Sequence, residues 1–298
     1  MEKIGFIGLG AMGAPMARRL LQAGHEVYVA DLHSDAVAAA VMHGAFRCES
    51  PAHVADHAEI VLACLPTPEI VERVALADNG ACAGSAVKIF VDHSTIGPSA
   101  SQRIAASLDE RGIVALDAPL AGGVAGATAG TLSVMASGDR LAYQRCLPIF
   151  QAFGRHVVHV GEQPGQGQLL KLVNNMIVGA TLVATCEAAL FGIKGGLDAQ
   201  VLMDMLNQST ARSFTSETIV GKAVLDRSFD FGSRMSLMRK DLRLFQDEAE
   251  RLGMATFSTS LVKQFFDLAA ARGKGAQDMS QVALEIEALA GAEIRRRH

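Results

Sequence analysis

Short apolar runs alternate with helical patterns through the first half of the chain. The apolar runs are rich in Val, Ile or Phe and too short for buried helices; they cover residues 4–8, 26–31, 60–65, 88–92, 114–117, 132–136 and 157–160. Segments in which apolar residues recur every three or four positions lie between them, at residues 14–23, 34–42 and 99–111. This alternation predicts βαβ units and an α/β fold whose doubly wound parallel sheet is covered by helices on both faces.

The pattern changes after residue 161. Strand-like runs end there, and helical periodicity continues through residues 165–194, 198–207, 237–252, 258–272 and 280–290. The first of these segments is mostly apolar and longer than most globular helices, which is typical of a helix that links two domains and is buried on most of its circumference. We therefore expect an α/β domain at residues 1–163 and an all-α domain at residues 164–298, joined by this long helix.

The composition excludes several classes of protein. The chain has 298 residues, of which half are hydrophobic and 19% are charged, and its formal net charge is −4. Such a chain is too apolar for intrinsic disorder, and its near-neutral balance gives no electrostatic basis for binding nucleic acid or an anionic membrane surface. The longest uncharged stretches contain glycines and a proline, or two asparagines, and do not predict a transmembrane helix.

The five cysteines are odd in number and scattered, without a C-x-x-C pair. This spacing predicts neither a disulfide framework nor a zinc site, and the histidines form no cluster with ligand spacing. His93 is therefore interpreted as structural. We expect a cytoplasmic protein with reduced thiols, without a metal site, and without a nucleic-acid or membrane partner.

A glycine-rich turn follows the first apolar run. Gly8, Gly10 and Gly13 form the pattern G-x-G-x-x-G between a predicted strand and a predicted helix, where they permit a tight turn, a close approach of pyrophosphate, and close packing of helix on strand. Asp31 ends the second predicted strand, where its carboxylate can accept hydrogen bonds from the adenosine ribose and repel a 2′-phosphate. Neither of the next two residues is an Arg. The turn and the acid predict a dinucleotide site that favours NAD over NADP.

Several further motifs occur in a fixed order along the chain. They are FIGLGAMGAPMA at residues 6–17, LP at 65–66, DHST at 92–95, DAPLAGG at 117–123, GxGxxxKxxxN at 165–175 and KDL at 240–242. In these residues the sequence resembles the β-hydroxyacid dehydrogenases, the group that includes 3-hydroxyisobutyrate dehydrogenase and tartronate semialdehyde reductase. The resemblance implies a Rossmann domain, a helical domain like that of 6-phosphogluconate dehydrogenase, and a site in the cleft between them.

The resemblance also implies an activity and a set of site residues. The activity is hydride transfer between NAD and a small anionic 3-hydroxyacid, or reduction of the matching semialdehyde. Lys171 is the implied catalytic residue. Substrate binding is implied for Ala121, Gly122, Gly123 and Asn175. Cofactor binding is implied for Gly8, Leu9, Gly10, Ala11, Met12, Gly13, Asp31, Leu65, Pro66, Thr95 and Lys240, with Asp241 orienting the lysine.

Lys171 has the chemistry that this activity needs. Gly167, Lys171 and Asn175 are spaced by four, so a helix brings them to one face, and the glycine is expected to leave room for a flat ring or a substrate. Oxidation of an alcohol needs a base, and the usual lysine pKa of about 10.4 must be lowered by burial and by the positive nicotinamide for this role. In the reducing direction the ammonium donates the proton, while Asn175 holds the substrate oxygen.

The chain departs from the family pattern in its substrate loop. The family usually carries Ser where this chain has Ala121, and Val where it has Leu120. The serine hydroxyl normally helps to hold the substrate carboxylate. Its absence bears on which hydroxyacid is the substrate and leaves the fold and the hydride chemistry as expected. The backbone N–H groups of Gly122 and Gly123 are expected to form a small nest for the carboxylate.

Two other functions are compatible with the same framework. One is an imine reductase, which needs no base for a hydroxyl proton, so the retained Lys171 and Asn175 argue against it. The other is a non-enzymatic dinucleotide-sensing module, against which the complete catalytic face argues. The apolar surface implied by the helical segments at residues 165–290 predicts a homo-oligomer, either a dimer or a tetramer, assembled through that domain.

Overall fold

The computed structural model describes residues 2–296. The chain divides into two compact units, Met1–Lys171 and Leu172–His298, called unit 1 and unit 2 below. The division falls inside the long helix that the sequence predicts. A domain boundary at residues 163 and 164 stays a prediction.

Unit 1 is built around one twisted sheet. Its strands are β1 (Lys3–Ile7), β2 (Glu26–Ala30), β3 (Phe46–Arg47), β4 (Ile60–Ala63), β5 (Ile89–Asp92), β6 (Val114–Asp117), β7 (Leu120–Ala121), β8 (Leu132–Gly138) and β9 (Gly154–Gly161). They lie in the order β3-β2-β1-β4-β5-β6-β8-β7, and β9 pairs with β8. The order reverses between β1 and β4, and ligands of such sheets bind at the carboxyl ends of the strands beside this point.

Helices cover both faces of the sheet, as the alternating pattern predicts. They are α1 (Gly13–Gln22), α2 (Ser34–Met42), α3 (Pro51–His57), α4 (Pro68–Leu76), α5 (Pro98–Asp109), α6 (Gly123–Ala129) and α7 (Arg140–Gln151). One hydrophobic core contains Phe6 and Phe150, and a second contains Phe90 and Ile104 on the other face. Two cores of this kind confirm the doubly wound α/β prediction.

The sheet is mixed rather than wholly parallel. The strands from β3 to β6 pair in parallel, but β8 runs antiparallel to β6 and β7 and then parallel to β9. The chain passes from β6 almost directly into β7, continues through α6 and then returns as β8, which lies antiparallel to both β6 and β7. Apolar periodicity cannot report strand direction, so the prediction of a parallel sheet fails at this edge.

Unit 2 is helical throughout the residues that the structure describes, apart from one isolated bridge between Arg234 and Asp278. Its helices are α8 (Gln166–Lys194), which begins in unit 1, α9 (Ala199–Asn207), α10 (Met235–Arg251), α11 (Phe257–Ala269) and α12 (Val282–Ala290). A ten-residue π-helix, Thr215–Val224, lies between α9 and α10. The sequence predicts every one of these except the π-helix, whose period differs from the 3.6 residues that a helical pattern search detects.

Among residues 2–296, one helix is long and apolar enough to cross a membrane when judged by length and composition alone, and that helix is α8. Its apolar sequence is interrupted by Lys171 and, one turn further along, by the pair Asn174 and Asn175. Leu182, Cys186 and Leu190 on its inner side are buried in the core of unit 2. The helix is therefore a packed element of a folded unit.

Candidate functional site

The glycine turn after β1 has the geometry that the motif requires. Gly8 adopts a φ of +95°, which a residue with a side chain rarely adopts. A Cβ at Gly13 would overlap the carbonyl oxygen of Gly8, so only glycine lets α1 begin this close to the strand. A Cβ at Gly10 would have no atom within 4 Å. The turn thus has open space at Gly10, directly before the N-terminus of α1, where backbone N–H groups attract phosphate.

Asp31 follows β2 and lies beside this turn. One carboxylate oxygen accepts a hydrogen bond from the Leu9 N–H at 2.6 Å, and the other accepts one from the His33 N–H at 2.8 Å. Burial raises the pKa of Asp31, but the bonds from His33 and Leu9 outweigh burial and hold the pKa below its usual value. The carboxylate is therefore ionised at neutral pH and keeps lone pairs for further donors, as a ribose-binding acid needs.

The ends of β4 and β5 form the adjoining wall. The Ser94 hydroxyl accepts a hydrogen bond from the Leu65 N–H at 2.8 Å, and this bond ties the loop after β4 to the loop after β5. Pro66 is exposed and Thr95 is half-buried on these loops. The structure therefore brings together, at the carboxyl ends of β1, β2, β4 and β5, the unit 1 residues that the sequence assigns to the cofactor.

His93 lies behind these loops. It is buried and donates from Nδ1 to the Ala118 carbonyl oxygen at 2.8 Å, while its ring meets Phe150 and Phe153 edge-on. Burial lowers the pKa of His93 to about 4. The ring is neutral at physiological pH and packs within the core, in agreement with a structural role.

The proposed substrate loop follows β6 directly. Ala121 is half-buried at the end of β7, and Gly122 and Gly123 adopt φ values of +123° and +64°. A Cβ at Gly122 would come within 3.1 Å of Leu132, whereas Gly123 borders open space. The two glycines thus form a turn that residues with side chains rarely adopt, next to the position where the family carries serine.

A buried polar network, to which the sequence motifs give no role, fixes the start of α8. Asp117 accepts hydrogen bonds from the Gly165 N–H at 2.7 Å, the Gln168 N–H at 3.0 Å and the Ser137 hydroxyl at 2.6 Å. Burial raises the pKa of Asp117, and these donors and Ser101 only partly offset that effect. The carboxylate at the end of β6 therefore holds the start of α8 through two backbone N–H groups, those of Gly165 and Gln168.

Gln168 extends this network to the loop after β5. Its side-chain oxygen accepts hydrogen bonds from the Ile96 and Gly97 N–H groups, and its amide donates to the Ser94 carbonyl oxygen at 2.9 Å. The side chain is fully buried. A Gln in the first turn of the mostly apolar α8 is the sequence signal that could have identified it, since a polar group that becomes buried there needs hydrogen-bond partners.

The expected role of Gly167 is wrong. Its position one helical turn before Lys171 predicts room for a ring or a substrate. A Cβ at this position would overlap the Met135 carbonyl oxygen and lie 2.7 Å from the Asp117 carboxylate, so the space is filled by the protein itself. Gly167 instead allows α8 to pack directly on β8.

Lys171 and Asn175 lie one helical turn apart on α8, at the end of unit 1 and the start of unit 2. Lys171 is half-buried. In unit 2, Asn175 donates to Asp241 at 2.6 Å and accepts from Asn174 at 3.0 Å, while Lys240 forms an ion pair with Asp241 at 3.0 Å. Asp241 therefore orients Asn175 as well as Lys240, a contact that the sequence analysis missed because the two residues lie far apart along the chain.

No group of three or more His, Cys, Asp or Glu side chains within residues 2–296 is placed to hold a metal ion. All five cysteines are unpaired. Burial raises the pKa of the Cys64 thiol, the one beside the glycine turn, to about 12. This thiol is therefore not a nucleophile at neutral pH.

A Rossmann sheet with an open glycine turn, and with an acid after its second strand, is the binding framework of dinucleotide-dependent oxidoreductases. Residues 3–161 match the family model for the NAD binding domain of 6-phosphogluconate dehydrogenase. Residues 165–286 match the model described as NAD-binding of NADP-dependent 3-hydroxyisobutyrate dehydrogenase. The chain belongs to the β-hydroxyacid dehydrogenase family, as its motifs predict.

Individual relatives match nearly the whole chain. The 2-(hydroxymethyl)glutarate dehydrogenase of Eubacterium barkeri is 36% identical over 98% of this chain and 97% of its own length. The NAD-dependent L-serine dehydrogenase of Pseudomonas aeruginosa is 37% identical over 95% and 97%. A Mycobacterium tuberculosis 3-hydroxyisobutyrate dehydrogenase with L-serine is 31% identical, with a TM-score of 0.88 over 96% of this chain and 99% of its own.

These matches establish the general activity. The protein is an oxidoreductase that uses a nicotinamide dinucleotide. Dehydrogenases and reductases of small hydroxyacids recur among the relatives, which do not favour the imine reductase or the non-enzymatic alternative.

Proposed function

We propose that the protein transfers a hydride between NAD and a small anionic 3-hydroxyacid, or reduces the matching semialdehyde, with Lys171 as the general acid and base. The observation that carries this proposal is the Gln168 link. Through it, the turn of α8 that leads to Lys171 is bonded to the loop after β5, which carries Thr95, one of the proposed cofactor-binding residues. The named substrates of the relatives are also small acids that carry a hydroxyl group.

The residues divide the chemistry between them. The bound dinucleotide supplies the hydride acceptor in oxidation and the hydride donor in reduction. Lys171 accepts the proton of the substrate hydroxyl in oxidation and returns it to the carbonyl oxygen in reduction. Asn175, whose amide is oriented by Asp241, holds the same oxygen. The N–H groups of Gly122 and Gly123 bind the substrate carboxylate.

The preference for NAD over NADP belongs to the same proposal. Asp31 is ionised and lies beside the glycine turn, so it favours ribose hydroxyls and opposes the charge of a 2′-phosphate. Neither of the next two residues, Leu32 and His33, is an arginine that could pair with that phosphate. The names of the relatives include both cofactors, so the choice rests on Asp31.

We further propose that the chain forms a homo-oligomer, a dimer or a tetramer, through its helical unit, and that it acts in the cytoplasm. Exposed apolar side chains on unit 2 support self-association; among the described residues they include Val201, Met205, Phe257 and Leu261. Five unpaired cysteines support a reducing compartment. Subcellular fractionation of the source cells tests the location.

Replacement of the proposed base tests the assignment. Lys171→Ala is expected to lower kcat for oxidation of the best hydroxyacid substrate by about 10²–10⁴-fold, the usual effect of losing a general base. NAD affinity is expected to change little, because the glycine turn and Asp31 hold the dinucleotide. The measurements are NADH absorbance under substrate saturation and fluorescence titration of NADH binding.

The matched control is Lys222→Ala, which removes an exposed lysine in unit 2 and should leave both quantities unchanged. A Lys171→Ala variant that keeps more than half of the wild-type kcat would rule out Lys171 as the base. Loss of NADH binding together with activity would instead place the lysine in the cofactor site.

A further inference from the structure

The buried carboxylate of Asp117 accepts more hydrogen bonds than its neutral form could accept equally well. Its two oxygens accept from the Gly165 N–H, the Gln168 N–H and the Ser137 hydroxyl, and the Ser101 hydroxyl bonds to it as well. A protonated carboxyl group carries a hydrogen on one oxygen, has fewer acceptor positions and loses its charge. Because hydrogen bonds to a charged group are roughly twice as strong as neutral ones, protonation of Asp117 weakens this whole set of bonds.

These bonds hold the part of α8 that leads to Lys171. Backbone N–H groups at the start of a helix have no partner within the helix itself. Here those of Gly165 and Gln168 donate to Asp117, and that of Gly167 donates at 2.9 Å to the Ser137 oxygen, whose own hydroxyl donates to Asp117. Lys171 lies on the next turn of the same helix. Its position therefore depends on whether Asp117 is ionised.

The surroundings of Asp117 are mainly apolar groups and uncharged donors. Asp117 and Asp92, its register partner on β5, line a cavity of about 10 Å³ together with Ser101 of α5. His93, the next residue after β5, packs against Phe150 on the other face of the sheet. Burial raises the pKa of Asp117 above its usual value, so its protonation occurs closer to neutral pH than that of an exposed aspartate.

We infer that Asp117 is a positioning residue for hydride transfer, whose ionised form holds Lys171 in place and whose protonation lowers turnover. The inference rests on the proposed role of Lys171. In oxidation both residues make the rate fall in acid, because Lys171 must be neutral to accept a proton. In reduction their effects separate. Protonated Lys171 is then the active form, so Lys171 accounts for a fall in rate at high pH and Asp117 for a fall at low pH.

The pH dependence of the reduction tests this role on the full-length chain. The measurement is kcat with saturating NADH from about pH 5 to about pH 10, with tartronate semialdehyde or methylmalonate semialdehyde, whichever the wild type reduces faster. The wild type is expected to lose rate at both ends of this range. Asp117→Asn has the shape of the protonated acid and does not titrate. Its kcat at pH 7 should be about tenfold lower or less, and it should show no further fall in acid.

A second variant gives a result that a purely structural role would not. Ser137→Ala removes a donor to the ionised form of Asp117, so the pKa of that carboxyl group should rise further and the fall in rate should begin at a higher pH. The Ser137 hydroxyl donates to Asp117, so such a shift assigns the acid effect to Asp117 rather than to Asp92. Titration of the active sites with NADH corrects kcat for any unfolded protein.

The matched control is Asp139→Asn. Asp139 is an exposed acid that caps α7 by accepting from the Ala142 N–H at 2.7 Å. Asparagine caps a helix as well as aspartate does. This variant should therefore keep the wild-type pH profile at both ends.

The outcomes distinguish two failures. A wild type that reduces neither semialdehyde, or that keeps its rate at high pH, overturns the proposed function with Lys171 as the acid. A wild type that loses rate at high pH but not in acid overturns only the role of Asp117. An acid effect that persists in Asp117→Asn, or that does not shift in Ser137→Ala, overturns this role as well.

Discussion

The surroundings of Asp31 and Asp117 shift the pKa values of the two carboxylates in opposite directions. Asp31 is held ionised by N–H donors beside the glycine turn, whereas Asp117 is buried at the end of β6 and its pKa is raised. Both accept backbone hydrogen bonds. The difference is burial, which outweighs the donors only at Asp117. Asp31 is therefore suited to bind ligand hydroxyls, and Asp117 to hold a helix in place.

The role of Asp31 leads to a prediction about cofactor choice. Asp31→Ala removes both the ribose acceptor and the charge that repels a 2′-phosphate. The ratio of kcat/KM with NADP to kcat/KM with NAD should therefore rise about tenfold or more. Asp35→Ala, which removes an exposed acid from the first turn of α2, is the control and should leave the ratio unchanged. A wild-type enzyme that already prefers NADPH would contradict the assignment.

Ala121 leads to a prediction about the substrate. A hydrogen bond to a charged group contributes about 1.5–3 kcal/mol, so Ala121→Ser should improve kcat/KM for 3-hydroxyisobutyrate by roughly ten- to a hundred-fold if the hydroxyl reaches the carboxylate. For the natural substrate the same change should be neutral or harmful, because a buried hydroxyl without a partner is unfavourable. The measurement is kcat/KM over 3-hydroxyisobutyrate, serine, glycerate, threonate and a sulfonate analogue.

The opposite result would show that Ala121 does not determine substrate selectivity. If the wild type is already most efficient with 3-hydroxyisobutyrate and the serine variant is no better, the alanine is a neutral variation. Ala121→Val, which adds bulk without a hydroxyl, separates a steric effect from the effect of the hydrogen bond.

The roles of residues that depend on their immediate neighbours in the chain were predictable from the sequence. Hydrogen bonds between residues far apart in the chain were not. Gly8, Gly13 and Asp31 could be placed because their roles depend on the turn and strand next to them. The contacts of Gln168 with the Ser94 loop, and of Asn175 with Asp241, join residues more than 60 positions apart. A single sequence carries no record of which distant residues meet, so these contacts required the structure.

At the scale of elements, α8 shows how packing and hydrogen bonding combine. Its first turn is tied to β6 through Asp117, and its backbone lies against β8 because Gly167 has no side chain. The long apolar period of α8 made it predictable. Short elements such as β3, β7 and α6 were not, because two to seven residues are too few for a period to show.

The close packing at Gly167 predicts a paired effect on stability and activity. Gly167→Ala forces the start of α8 away from β8 and should lower the free energy of unfolding by roughly 1–3 kcal/mol. The same displacement moves the next turn, which carries Lys171, so kcat should fall as well. Urea unfolding and saturation kinetics measure the two effects.

The same helix provides the control. A Cβ at Gly179 meets its nearest neighbour, Leu242, at an ordinary contact distance of 3.4 Å. Gly179→Ala should therefore be neutral or slightly stabilising, since alanine favours a helix over glycine. A Gly167→Ala variant as stable and active as Gly179→Ala would show that α8 tolerates displacement at its start.

For the whole molecule, His93 predicts part of the sensitivity to acid. Its pKa is about 4 in the folded protein, below the usual 6.5, so between these values the unfolded chain binds more protons than the folded one. The contribution of His93 to the free energy of unfolding is therefore fully present above about pH 6.5 and is lost as the pH falls towards 4. From about pH 7 to about pH 4.5 the loss should amount to roughly 2 kcal/mol.

His93→Gln tests this contribution, because glutamine can still donate to Ala118 but does not titrate. Between about pH 7 and about pH 4.5, the free energy of unfolding of the variant should fall by roughly 2 kcal/mol less than that of the wild type. This difference does not depend on the absolute stability of the variant. His156→Gln, at an exposed position, should leave the slope unchanged. An unchanged slope in His93→Gln would mean that the ring is protonated without unfolding.

Gln168 also limits how the enzyme can be engineered. Its one amide group joins the loop after β5 to the helix that carries Lys171. Substitutions made in that loop to tune cofactor affinity should therefore change turnover too, and their effects should not add to those of substitutions in the first turn of α8. Double-mutant cycles that pair a substitution in the loop after β5 with one in the first turn of α8 should show coupling energies, and these should vanish once Gln168 itself is replaced. Only in a chain that lacks Gln168 should cofactor affinity and turnover become separately adjustable.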